Sequence, residues 1–288
     1  MSSTVVAAVL LGALLHALWN ALVKSSGDKE VDTALVHFLG ALVALPLLLV
    51  FGPPPSLVWP FVAASLVIHI GYYVTLAGAY KHGDLGLTYP IMRGSAPLLV
   101  ALGSSAVLGE SLSPLAWLGV IGITSGVALV GLSHPGQTLH HRRALTFALA
   151  NAVIIATYTF VDGKGVRATV SAGDTAASYV MLLFVLDGIP YPALVLLRRD
   201  AAGRAAIMAY ARKRWPLATL GGAASIGSYA IALWAMTRAP VASVAALRET
   251  SVLFASLLGA LVLKERFGPQ RAAGTLVIVG GVAALRFG

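Results

Sequence analysis

Ten mainly apolar stretches follow one another along this chain, at 4–23, 33–51, 57–80, 86–108, 114–132, 143–161, 175–197, 215–236, 241–263 and 271–287. A helix needs roughly 20 such residues to cross a hydrocarbon core of about 30 Å, so each stretch is a membrane span in length. The breaks carry turn chemistry: Gly52-Pro53-Pro54-Pro55-Ser56, Lys81-His82-Gly83-Asp84 and Ser133-His134-Pro135-Gly136. Only the connection 198–214 is longer, and its 200–210 portion is expected to be a short surface helix. The stretches are apolar on all sides, without the alternation of a membrane barrel. The first lacks a basic leader and a small-residue cleavage site, and reads as a retained span. The expected fold class is therefore an all-α membrane protein of ten transmembrane helices.

Composition excludes the other classes. Hydrophobic residues make up 58% of the chain and charged ones 11%, against about 25% charged in soluble chains. Disordered, collagen-like and disulfide-scaffold chains do not share these values. With no Cys, disulfides, thiolate metal sites and thiol catalysis are excluded. The net charge of +9 sorts by connection. Lys24, Lys29, Lys81, Arg142, Arg143, Arg198, Arg199, Arg204, Arg212, Lys213, Arg214, Lys264, Arg266 and Arg271 follow odd-numbered spans, while only Lys164, Arg167, Arg238 and Arg286 follow even-numbered ones. Basic residues mark cytoplasmic loops, so both termini are expected on the non-cytoplasmic side. The positive charge is topology facing lipid headgroups, and no nucleic-acid partner is expected.

The halves repeat. Shifting 90–132 forward by 155 positions lays it on 245–287 without a gap. Arg93 falls on Arg248, Leu98 on Leu253, Glu110 on Glu265, Pro114 on Pro269, Gly119 on Gly274, and Gly126-Val127-Ala128 on Gly281-Val282-Ala283. Asp32-Thr33-Ala34 opens span 2 as Asp174-Thr175-Ala176 opens span 7, each Asp a candidate N-cap, and Trp19 aligns with Tyr158. Five spans is an odd number, so the second copy enters the membrane from the other side. Repeats at 1–136 and 137–288 then form a 5+5 inverted-topology pair, an architecture of secondary transporters.

The pattern Glu110-x3-Pro114-x4-Gly119-x6-Gly126, repeated as Glu265-x3-Pro269-x4-Gly274-x6-Gly281, resembles the drug/metabolite transporter superfamily, and within it the ten-span EamA-type members. The stretches Leu15-His16-Ala17-Leu18-Trp19-Asn20-Ala21, Tyr89-Pro90-Ile91-Met92-Arg93-Gly94 and Leu247-Arg248-Glu249-Thr250-Ser251 are similar to the same group. The resemblance covers the whole chain. It implies a central cavity lined largely by spans 3, 4, 8 and 9, with spans 5 and 10 peripheral. It also implies export of small metabolites, amino acids prominent among them, across a bacterial cytoplasmic (inner) membrane.

Polar groups inside a membrane need a partner, a cavity or a task. His16, Trp19, Asn20 and Val23 share one face of span 1, as Asn151, Ile155, Tyr158 and Asp162 do in span 6. These are either a substrate path or hydrogen-bonding glue between helices. In span 3, Tyr80 suits an interfacial belt. His69, Tyr72 and Tyr73, with Tyr229 and Trp234 of span 8, form either an aromatic pocket wall or plain packing. Arg93 and Arg248 are expected roughly 10 Å inside opposite faces at about 1.5 Å per residue, to engage an anion or to close a gate, in the latter case by pairing with Glu249 or helix-end carbonyls. Tyr89 and Ser251, beside them in the resembling stretches, complete the substrate-binding candidates. Asp187 and Glu249 are proton-coupling candidates, although Asp187, before Gly188-Ile189-Pro190, equally suits freed backbone N–H groups. That Gly-Pro region, Pro46 and Pro97 are kink candidates. Glu110 and Glu265 are expected to cap the Pro-started spans that follow them.

No H-E-x-x-H, G-x-S-x-G or Walker sequence is present, so an intramembrane enzyme and an ATP-driven pump are disfavoured. The sequence reading is a monomeric secondary exporter of amino acids, aromatic or apolar ones favoured, with no cofactor or metal. Its partners are a small-molecule substrate and the lipid bilayer. Exchange of nucleotide sugars or sugar phosphates is the alternative, because two arginines suit phosphate.

Overall fold

The computed structural model describes residues 1–82, 85–131, 142–262 and 268–288. Glu265, the turn residues Gly83-Asp84 and Ser133-His134-Pro135-Gly136, and the side chain of Tyr80 lie outside the described set. The described residues form helices and no strand: α1 Ser3–Lys24, α2 Lys29–Phe51, a 3-10 turn Ser56–Val58, α3 Trp59–His82, α4 Leu85–Leu108, α5 Pro114–Gly131, α6 Arg142–Ser171, α7 Ala176–Asp187, α8 Pro190–Leu197, α9 Ala201–Met236, α10 Val241–Arg248, α11 Ser251–Val262 and α12 Pro269–Phe287. Nine helical stretches among these residues are long and apolar enough to span a bilayer. The tenth span is α12, whose polar ends (Gln270, Arg271 and Arg286) lower its hydropathy.

Twelve helices serve ten spans because spans 7 and 9 are each broken once. The first break is the expected Gly-Pro site, between Asp187 and Pro190. The proline lacks the N–H that would continue the ladder. By contrast α2 runs unbroken through Pro46, and α4 through Pro90 and Pro97. The 200–210 segment is not a separate surface helix. Asp200 accepts a hydrogen bond from the Gly203 N–H at 2.8 Å, and the helix it caps continues through Pro216 into span 8 as one 36-residue α9. Span 6 also outruns its apolar stretch, since α6 extends to Ser171 through Asp162, Lys164 and Arg167.

The two Asp-Thr-Ala sites depart from their expected role. Asp28 caps α2, accepting from the Val31 N–H at 3.1 Å. Asp32 lies inside that helix, buried, taking Arg214 Nε at 3.0 Å and the Tyr210 hydroxyl at 3.1 Å. At α7 the cap is Thr175, and Asp174 accepts only the Thr175 N–H.

Packing crosses between the halves and obeys the expected two-fold relation. Span 1 packs on span 8 as span 6 packs on span 3, and span 9 on span 1 as span 4 on span 6. Spans 2 and 7, 4 and 9, and 5 and 10 pack on their own counterparts. The closest approach is between α5 and α12. A Cβ on Gly119 would meet Gly281 O at 2.9 Å and one on Gly281 would meet Gly119 O at 2.9 Å. The shifted pair repeats this, with Gly126 to Gly274 O at 2.8 Å and Gly274 to Gly126 O at 2.9 Å. Small residues let helices approach in lipid, where burying apolar side chains brings no gain. Accordingly Leu49, Val67 and Leu276 are left exposed on the perimeter. Both termini lie at one end, where the Met1 ammonium donates to Arg286 O at 3.3 Å and Ser113 Oγ donates to Gly288 O at 3.3 Å. An even number of crossings requires that.

Candidate functional site

Span 9 breaks where the motif residues sit. α10 ends at Arg248, the Glu249 and Thr250 N–H groups turn back to Ala246 O at 3.0 Å and Leu247 O at 3.1 Å, and α11 restarts at Ser251. Arg248 thereby lies at the negative end of one helix dipole and Glu249 beside the positive end of the next.

A narrow cavity opens against this break. It is lined by Arg93, Ala96, Pro97 and Val100 of α4, Ile155, Tyr158 and Thr159 of α6, and Ala245, Arg248 and Glu249. Spans 4 and 9 are as the resemblance implied. Where the resemblance implied spans 3 and 8, the lining comes from span 6, and Tyr158 of α6 packs in one cluster with Tyr72 of α3 and Tyr229 of α9. Arg93 Nε reaches Glu249 Oε2 at 2.8 Å, with both side chains under a tenth exposed. Arg93 and Arg248 line the same cavity. Each starts about two turns deep from its own side of a core about 30 Å thick, and the long side chains close the gap to meet at one cavity.

The two cations are held differently. Arg93 is neutralised by Glu249, although its Nε and Nη2, and Glu249 Oε2, form no hydrogen bond among the described residues, so the contact is an ion pair. Arg248 has no carboxylate within ion-pair distance among them; its guanidinium lies over the Tyr229 ring, 5.1 Å from the centroid. A cation–π contact leaves the donors in the guanidinium plane open. Ser251 Oγ is likewise buried without a partner among the described residues.

The other sequence candidates fall in three groups. Tyr89, one turn before Arg93, and His16 of α1 lie within electrostatic reach of the paired charges. His69 stacks on Tyr158 at 4.7 Å, and Tyr72 meets the same ring edge-on at 6.4 Å, so both back the cavity wall. Several others sit away from it. Asn151 Nδ2 donates to Tyr72 O at 3.1 Å and Thr75 Oγ1 at 2.9 Å, tying α6 to α3. Asn20 donates to His16 O at 2.7 Å within its own helix, and Trp19 meets His16 edge-on at 5.3 Å. Trp234 lies under Arg238 near the end of α9. Tyr73 and Asp187 form a separate cluster at the span 7 break: the Tyr73 hydroxyl donates to Asp187 Oδ2 at 3.3 Å, His37 Nδ1 approaches the same oxygen at 3.2 Å, and Tyr191 stacks on Tyr73.

Glu110 does cap a helix, but in the other half. Its Oε2 accepts the Val241 N–H of α10 at 2.9 Å, and Arg167 binds its Oε1 while donating to Met236 O at 2.7 Å. His37 was not among the sequence candidates. Asp162 was placed on the span 6 face but not singled out; it is fully buried one turn beyond Tyr158 and accepts from Tyr179 at 2.9 Å and from Tyr229. Its place on the Asn151–Tyr158 face was the available signal; the apolar stretch ending one residue earlier obscured it.

A solved crystal structure superposes on this chain with TM-score 0.77 at 19% identity, covering 99% of this chain and 96% of that one, and so shows the same fold. The EamA-like transporter family model matches twice, at 3–132 and 142–287, one copy per half. The chain belongs to the EamA-like transporter family, and is a membrane transporter of the drug/metabolite type and not an enzyme.

Proposed function

We propose that the protein exports amino acids, with aromatic or apolar side chains favoured, by alternating access between its two repeats. The observation that carries this is the contrast between the arginines at one cavity: Arg93 is already paired, while Arg248 lies over the Tyr229 ring with no carboxylate within ion-pair distance among the described residues. One uncompensated cation suits one carboxylate, and a bidentate carboxylate is the anion that a guanidinium fits best. Tyr158, Tyr229 and Ile155 supply aromatic and apolar surface beside it. A sugar phosphate or nucleotide sugar carries more negative charge than one free arginine balances, so Glu249 weighs against the alternative. The distribution of Lys and Arg supports an orientation with both termini outside, the family resemblance implies a bacterial inner membrane, and the self-contained two-fold packing suits a monomer.

In proteoliposomes, Arg248→Gln is expected to raise the half-saturating concentration for labelled phenylalanine about 10- to 100-fold, the value of one charge-assisted hydrogen-bonding group. Unlabelled apolar amino acids should compete in the wild type. Competition by UDP-sugars or glucose 1-phosphate, with none by amino acids, would reverse the assignment.

A further inference from the structure

Asp162 is held unlike the other buried carboxylates among the described residues. Glu249 faces Arg93 and Asp32 faces Arg214, whereas Asp162 has no basic side chain within ion-pair distance, and His69 acts on it from beyond that distance. Its two oxygens take the Tyr179 and Tyr229 hydroxyls, yet no part of it reaches solvent. A charge buried without a counter-ion is costly, and hydroxyl partners differ from guanidinium in one respect. A phenol both donates and accepts, so it satisfies a carboxylate and a protonated carboxyl alike. An arginine, with donors only, holds its carboxylate in the charged form.

Asp162 is also one tyrosine from Arg248. The Tyr229 hydroxyl ends on Asp162 and its ring face carries the Arg248 guanidinium. Asp162 follows Tyr158 and Thr159 of the cavity wall by one helical turn on the same face of α6. Rotation of the Tyr229 side chain would open the one to the other. The poles are then a free guanidinium and an uncompensated carboxylate, one ring apart. That spacing suits the carboxylate and ammonium of an α-amino acid with a charge-assisted hydrogen bond of about 2.8 Å at each end.

We propose that Arg248 and Asp162 are the two poles of a zwitterion site, and that the substrate ammonium and a proton alternate on Asp162. The assignment rests on the amino-acid reading above and deepens it. On the cytoplasmic side the incoming ammonium takes the carboxylate and its proton leaves to water. On the outer side a proton from water takes the same oxygen and the ammonium is released. One proton enters for each amino acid that leaves, and no covalent bond to substrate forms. The groups facing Asp162 are His69 and Ser65 of α3, Tyr179 of α7, Tyr229 of α9 and, across that ring, Arg248 of α10, with Tyr158 on α6 itself; Arg93 of α4 is turned to Glu249.

The test uses three probes that differ only in their charged ends: phenylalanine, phenethylamine without the carboxylate, and N-acetylphenylalanine without the ammonium. Binding is measured on the purified full-length protein, with a pH dye in weak buffer. Asp162→Asn keeps the side-chain size and two hydrogen-bonding ends. It should weaken phenylalanine and phenethylamine at least tenfold, leave N-acetylphenylalanine unchanged, and abolish the proton released when phenylalanine binds. Arg248→Gln should weaken phenylalanine and N-acetylphenylalanine and spare phenethylamine. Equal losses for all three probes in Asp162→Asn, or proton release that persists in it, would overturn the assignment of Asp162. Wild-type protein that binds phenethylamine but not N-acetylphenylalanine would instead overturn the carboxylate role of Arg248, with Asp162 still read by phenethylamine. If Asp162→Asn does not fold, Tyr229→Phe, which removes one hydroxyl and keeps the ring under Arg248, should lower phenethylamine affinity and leave N-acetylphenylalanine unchanged; equal effects on the two would count against the proposal.

Discussion

Arg93→Ala is expected to destabilise the protein by about 3–5 kcal/mol, because it strands Glu249 as a buried charge without its counter-ion. The pair is 2.8 Å apart with exposures of 8% and 6%, so solvent screening does little to soften the loss. Glu249→Gln strands Arg93 in the same way, and Arg93 already has two nitrogens, Nε and Nη2, without a hydrogen-bond acceptor among the described residues. The double variant Arg93→Met with Glu249→Gln removes both charges at near-constant volume. It should recover most of the loss, since a buried ion pair and a well-packed neutral replacement often differ little in stability. Unfolding in detergent, followed by near-UV circular dichroism across a denaturant series for the four members of the cycle, measures the coupling. Single and double variants of equal stability would show that the pair is not closed in the folded protein. The pair joins the counterpart spans 4 and 9 while the first repeat has Gly94 where the second has Glu249. That carboxylate is one of the differences that break the two-fold at the cavity, and its ion pair is with Arg93.

How much of this was legible in the chain follows from the range of the forces involved. The spans and the repeat are written in local apolar length and in the 155-residue offset, and neither needs a tertiary partner. The breaks are half legible. Pro190 interrupts span 7 by removing a hydrogen-bond donor, but no proline or glycine marks the interruption at Glu249. There the fold trades a turn of regular helix for a carboxylate that meets Arg93. Pairings across the bundle were the least visible. Glu110 has the right chemistry for a helix cap, yet its target is the Val241 N–H, 131 positions away. Asp162 was legible as part of the Asn151–Tyr158 face of span 6, but its partners were not. Charge at a span edge is normally a loop signal, and the reason it fails here is that Tyr179 and Tyr229 arrive from two other helices. That the two arginines line one cavity was not legible, since positions measured from opposite faces say nothing about how far long side chains reach toward the middle.

The seam between α5 and α12 gives the sharpest test of the two-fold itself. A methyl group at Gly126 would stand 2.6 Å from Ile278 Cγ1, 2.8 Å from Gly274 O and 2.9 Å from the Ile278 N, and two of those atoms are backbone that cannot rotate away. Gly126→Ala must therefore push two helices apart along a contact that both halves share, at an expected cost of about 1–3 kcal/mol. Gly281→Ala, its counterpart by the 155-residue shift, meets Ile123 N at 2.8 Å and Gly119 O at 2.9 Å and should cost a similar amount. Combined, the two contacts lie about two helical turns apart, far enough for the losses to sum to about 2–6 kcal/mol. The neighbouring Gly280 supplies the contrast. It is exposed, with nothing within 4 Å of a built Cβ, so Gly280→Ala gains helix propensity and should stabilise by about 0.5–1 kcal/mol. Adjacent glycines in one helix then shift stability in opposite directions, which composition and apolar length cannot produce. Equal effects at 280 and 281, or a Gly126→Ala variant as stable as the parent, would mean that α5 and α12 do not meet through this seam.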